Sequence, residues 1–177
     1  MAKARQIPGL GPDTRFADAA AAAVEVRSAE VFEHSAGVLD SDDIERVHAM
    51  RVSTRRLRAA LEVFAVCFER KEHRRVLREV KALADALGER RDPDVALEAL
   101  AGVAAELTRT DRSGIASLAA ELREEQKRGN AHLEQALART RESHLEERLA
   151  ALARAARSAE AEAGAARAPA TEAGAAP

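Results

Sequence analysis

The sequence predicts an all-α protein, an antiparallel helical bundle of four to six helices with long amphipathic members. Three observations carry that prediction. Apolar residues recur every three or four positions along most of the chain. Gly and Pro number only 9 and 5 in 177 residues. Four Phe with no Trp or Tyr leave little material for a strand-built core. One hundred and seventy-seven residues suffice for a single core.

Residues 1–12, with Pro8-Gly9 and Gly11-Pro12, read as a flexible lead-in. Asp13 or Thr14 then caps a first helix running to about Val38 or Leu39. Asp40 to Asp43 break the pattern and supply capping oxygens for the next segment. A second helix, about Asp43 to Arg70, carries the clearest stripe: Val47, Met50, Thr54, Leu57, Leu61, Phe64 and Phe68. A third, about Glu72 to Leu87, repeats it with Val76, Leu77, Val80, Leu83 and Leu87, and Gly88 falls at the expected C-cap. Asp92-Pro93 reads as an N-cap and first-turn proline opening a fourth helix to about Leu107.

Asp111 or Ser113 starts a long helix through Leu118, Leu122, Leu133 and Leu137, with Gly129-Asn130 as an internal point of bending or frustration. A further amphipathic piece spans about Ser143 to Ala156. From Ser158 the chain lacks large apolar residues, so residues 158–177 read as a disordered tail. The folded unit is thus expected over 13–157.

Composition excludes several function classes. A net charge of −2 rules out a globally basic chain, so anion binding needs a local patch. The lone Cys67 forms no internal disulfide, which fits a reducing cytoplasm. No apolar h-region follows Lys3 and Arg5, and the most apolar run is too short and too interrupted for a membrane span. His34, His48, His73, His132 and His144 show no metal-ligand spacing, and neither a phosphate loop nor a nucleophile elbow is present. The expectation is a non-enzyme, with no catalytic residue, no metal and no cofactor.

The positive charge is segregated. Residues 44–91 carry 13 basic and 7 acidic side chains, a net +6, against −8 for the rest. At 100° per residue, His48, Arg51, Arg55 and Arg58 fall within roughly an 80° arc beside the apolar stripe, whereas Arg56 points elsewhere. Arg74, Arg78 and Lys81 share one face of the third helix. If those helices are neighbours, the two strips flank one groove. Arginine suits phosphate oxygens because its planar fork donates two hydrogen bonds and stays charged at physiological pH. The competing reading is a solvated arginine row whose stems cover apolar surface.

The stretch Val47-His48-Ala49-Met50-Arg51-Val52-Ser53-Thr54-Arg55-Arg56-Leu57-Arg58-Ala59-Ala60-Leu61 strongly resembles the signature of the CHAD family, the conserved histidine α-helical domain. Leu87-Gly88-Glu89-Arg90-Arg91-Asp92-Pro93-Asp94-Val95 is similar to its second motif, LG-x-x-RD-x-DV. The resemblance extends from about Asp13 to Arg154. It implies a non-catalytic module that binds inorganic polyphosphate through a basic channel, found alone at polyphosphate granules or joined to triphosphate-tunnel enzymes. Carried onto this chain, it implies His48, Arg51, Arg55 and Arg58 as channel residues, with Arg91 from the second motif; Arg74, Arg78 and Lys81 follow from helix phase instead. One departure stands out. The family domain is usually about twice this size, with a second His/Arg-Lys motif that nothing after Arg91 supplies. Two readings follow: two copies pair as a homodimer to rebuild the channel, or half a channel suffices. Nucleic-acid binding and a helical scaffold without anion binding are the alternatives; overall acidity and missing aromatics argue against the first.

Overall fold

A computed structural model describes residues 4–41, 43–108 and 112–167. They form five α-helices and no strand: α1 (Phe16–His34), α2 (Ile44–Val63), α3 (Arg70–Glu106), α4 (Arg112–Glu142) and α5 (Leu145–Arg167), with a 3₁₀ turn, Ala65–Cys67, between α2 and α3. α1 packs on α2 and α5, α2 on α3, and α3 on α4. The expected all-α bundle is therefore present. Its core contains Val24, Val31, Met50, Leu57, Leu61, Val76, Val80, Leu83, Leu87, Leu133, Leu145 and Leu149. Each such side chain contributes about 1.5–3 kcal/mol by leaving water.

The helix boundaries differ from the sequence reading at identifiable places. α1 starts at Phe16 rather than at Asp13 or Thr14, because Thr14 is used locally: its Oγ1 accepts from Gly11 N and donates to the Gly9 carbonyl. The lead-in is tied to α1, with Arg5 N donating to Glu30 Oε1 at 2.7 Å. α1 stops at His34, and Gly37 with φ 71° turns the chain toward α2.

α2 ends at Val63, short of Arg70. The 3₁₀ turn then lets Phe68 re-enter the core, and Glu69 caps α3 by accepting from Lys71 N and Glu72 N. His73 secures this corner. Its buried ring donates from Nε2 to the Leu61 carbonyl at 2.9 Å, satisfying one of the orphan acceptors at the end of α2, and stacks on Phe68.

The largest correction is α3. Gly88 is not a C-cap and Asp92-Pro93 does not open a new helix; α3 runs unbroken for 37 residues with Pro93 inside it. Proline has no N–H for the Glu89 carbonyl four residues earlier. α4 closes on that spot through Gly129, where a Cβ would sit 3.0 Å from Glu89 O and 3.0 Å from Arg90 Cα. Gly129 is thus a contact point between two helices, not a bend. Both neighbours are backbone atoms and cannot step aside, so Gly129→Ala should destabilise the protein by about 1–2 kcal/mol despite alanine's better helix propensity. Chemical denaturation measures this; a stabilised variant would contradict the close approach.

α5 continues through Arg167, so residues 158–167 of the expected tail are helical. Residues 168–177 lie outside the described residues, as does Asp111, one of the two expected starts of α4. Arg148 clamps α5 to α3 through Glu72 (2.6 Å) and Glu79 (2.8 Å), and Arg157 joins it to Glu25 of α1.

Candidate anion-binding surface

Burial of Val47, Met50, Thr54, Leu57 and Leu61 sets the rotation of α2, and burial of Val76, Val80, Leu83 and Leu87 sets that of α3. The positions flanking these stripes must then emerge beside the seam between the two helices. Arg55 and Arg58 of α2 and Arg74 and Arg78 of α3 are exposed; His48, Arg51 and Lys81 are half-buried. Arg56 lies on the other flank, where its charge is felt by Glu30 of α1.

One carboxylate joins the two strips. Glu62 accepts from Arg58 Nε at 3.1 Å and lies 3.1 Å from Lys81 Nζ, so the last basic turn of α2 and the third basic position of α3 meet at a single point. Lys81 first, and Arg58 second, hold the Glu62 carboxyl below the usual glutamate range. Its contribution to stability is therefore complete above the ordinary glutamate pKa and is lost as pH falls through the lowered value. Sequence reasoning missed Glu62 as a site member, although its i,i+4 spacing from Arg58 is a readable signal.

Among the described residues, Arg51, Arg55, Arg74 and Arg78 have neither an ion pair nor a side-chain hydrogen bond, and the His48 ring has no hydrogen-bond partner. Like charges a turn apart repel by a few tenths of a kcal/mol per pair. Two acids lie beside these cations: Glu62, and Glu69, whose carboxyl is held below the usual glutamate range by the Glu72 and Lys71 backbone N–H groups and, further, by the charges of Lys71 and Arg74.

Arg91 is more enclosed than these residues. Its side chain is 12% exposed, with Nη1 3.8 Å from Asp94 Oδ2. It belongs to a buried network at the α3–α4 seam that the sequence did not reveal. Arg90 is fully buried, with Nη1 2.5 Å from Asp94 Oδ1 and Nε donating to Asn130 Oδ1 at 3.1 Å. Gln126 Nε2 donates to Asp94 Oδ1 at 2.6 Å, and Asn130 Nδ2 donates to the Leu39 carbonyl at 2.9 Å. Two guanidinium groups share one carboxylate here, leaving Arg90 Nη2 and Arg91 Nη1 without hydrogen-bond partners. The i,i+4 spacing of Arg90 and Asp94 was visible in advance; their complete burial was not.

No cluster of three or more potential metal ligands occurs among the described residues, and no described helix is long and apolar enough to cross a membrane. The described residues thus define an all-helical bundle. More particularly, the chain belongs to the CHAD domain family, whose model matches residues 22–176. Comparison with curated proteins gives no match, nor does comparison with solved structures.

Proposed function

We propose that this protein binds inorganic polyphosphate on the α2–α3 face, without catalysis, by electrostatic capture. The observation that carries this reading is the set of four unpaired arginines, Arg51, Arg55, Arg74 and Arg78, on two adjacent helices. His48, Arg58 and Lys81 extend the face, and Arg91 meets the polymer only through its exposed edge. Guanidinium forks replace the counterions of a linear polyanion, so affinity falls steeply with salt. Membership in the CHAD family supports polyphosphate over other polyanions. The protein then acts in the cytoplasm, at polyphosphate granules, and two copies pair as a homodimer to present the strip twice about one axis.

Titration with polyphosphates of defined length, with duplex DNA and heparin as competitors, tests the reading. Polyphosphate is expected to displace DNA at equal phosphate concentration. Displacement in the reverse sense assigns the face to nucleic acid, and absence of binding to all three leaves a scaffold.

Glu62 adds a sharper test. Its carboxylate competes with phosphate for Arg58 and Lys81, so Glu62→Gln should tighten polyphosphate binding about two- to fivefold, the equivalent of an exposed ion pair. Because the Glu62 pKa is lowered, the gain should persist throughout the neutral range and vanish only in acid, where the wild-type carboxyl is itself protonated. Unchanged or weaker binding at neutral pH would remove Glu62, and the seam it marks, from the site.

A further inference from the structure

The seam between α3 and α4 holds a cleft of about 180 Å³. Leu83 and Ala136, both buried, line it together with Ala82. Two of its three apolar walls are alanines, whose short side chains leave the space open. Contacts between helices flank it on both sides. On one, Ser143 Oγ donates to Glu79 Oε2 at 2.6 Å, and Arg148 of α5 donates to Glu79 Oε1 at 2.8 Å. On the other, His132 Nδ1 shares a hydrogen bond with Glu89 Oε2. Between Glu79 and Glu89 the axis of α3 rises about 15 Å, so the cleft is short.

The charges that line the cleft are unequal in one respect. Glu79 is met by Arg148, with Arg75 at 3.7 Å, and His132 is met by Glu89. Arg139 is exposed and has neither an ion pair nor a side-chain hydrogen bond among the described residues. Lys81, Asp85, Glu134, Arg141 and Glu142, the other charged residues on these stretches of α3 and α4, do not line it. Thr140, the remaining wall, already donates its hydroxyl to the Leu137 carbonyl at 2.8 Å.

We propose that this cleft binds a small organic monocarboxylate with a compact apolar body, its carboxylate on Arg139 and its body against Leu83, Ala82 and Ala136. The site is separate from the α2–α3 face and does not depend on polyphosphate binding there.

Size, sign and valence each narrow the ligand. An apolar cavity of about 150 Å³ accommodates benzene, so this cleft takes one ring or a branched chain of similar bulk. The one lining charge without a partner is a cation, so the polar end of the ligand is an anion. A planar guanidinium fork matches the two oxygens of a carboxylate. A dianion would set its second charge among Glu79 and Glu89 with no second unpaired cation to meet it.

Titration of the full chain with benzoate, followed by amide chemical shifts in NMR, tests the proposal. Saturable shifts are expected at Ala82, Ala136 and Arg139. Benzyl alcohol and benzylamine keep the ring without the negative charge and should bind at least tenfold more weakly. Acetate keeps the charge without the ring and should also bind at least tenfold more weakly. Ala82 is exposed, so Ala82→Leu can fill the cleft without disturbing the core and should weaken benzoate at least tenfold. Arg139→Gln should bring benzoate to the level of benzyl alcohol. Absence of saturable shifts, shifts confined to Arg51, Arg55, Arg74 and Arg78, benzylamine binding as tightly as benzoate, or benzoate binding unchanged in both variants would each overturn the proposal. Polyphosphate titration of the same variants is a separate readout and is expected to be unchanged; its loss in both would merge this cleft with the polyphosphate surface and overturn a separate site.

Discussion

Replacing Arg51 and Arg55 together with alanine should weaken polyphosphate binding about a hundredfold or more. Each guanidinium makes charge-assisted hydrogen bonds to phosphate worth about 1.5–3 kcal/mol, and a loss of 1.4 kcal/mol is tenfold in affinity. Salt dependence should change in step. For a flexible polyanion each neutralised phosphate contributes about 0.7 to the slope of log K against log salt, so the double variant should be shallower by about 1.4. Stability should hold within about 0.5 kcal/mol, since neither side chain has an ion pair or hydrogen bond among the described residues. Arg51→Lys with Arg55→Lys separates charge from shape: lysine keeps the slope but loses the two-pronged donor, so intermediate affinity is expected. Isothermal titration at several salt concentrations reads all three quantities. If the alanine variant binds like the wild type, with the same slope, the α2–α3 face is not the site.

The second large effect concerns folding. Asp94→Ala should lower stability by about 3–5 kcal/mol, because it removes the carboxylate from a fully buried Arg90 and a mostly buried Arg91. For a chain of this size that corresponds to a melting temperature lower by roughly 10 °C. Removing both charges tells a different story. Arg90→Met with Asp94→Leu deletes the fully buried pair and leaves only the mostly buried Arg91 without its carboxylate, so it should recover part of the loss. Thermal unfolding followed by circular dichroism distinguishes the two. Equal destabilisation by the single and double variants would mean that the volume of this site, not its charge, is what the seam requires.

These two experiments probe parts of the molecule that differed in legibility. The stripe Val47-Met50-Thr54-Leu57-Leu61 settles the rotation of α2 because apolar residues at helical spacing have one low-energy orientation against a core. Once that rotation is set, His48, Arg51, Arg55 and Arg58 must emerge on one flank. The same logic applies to Val76, Val80, Leu83 and Leu87 with Arg74, Arg78 and Lys81. Local periodicity was enough to read the buried stripes.

Punctuation was less reliable. Gly88 and Asp92-Pro93 carry strong local signals for a helix end and a helix start, yet α3 passes through both. Those signals express preferences of about 1–3 kcal/mol, and the packing of α3 against α4 outweighs them. Gly129 illustrates the point from the other side: within α4 it is a poor helix residue, and its justification is the Glu89–Arg90 backbone 3.0 Å from where its Cβ would be. His73 likewise acquires its role only when Leu61 and Phe68 are brought beside it.

Helical class, the identity of the core stripes and the row of arginines followed from the order of residues alone, because a 3.6-residue repeat is a property of the chain within a few turns. The pairing of Glu62 with Arg58 and Lys81 and the buried Arg90–Asp94 pair arose only on folding. Each depends on which helices become neighbours and where each neighbour stops, and those relations join residues far apart in sequence that no local repeat connects.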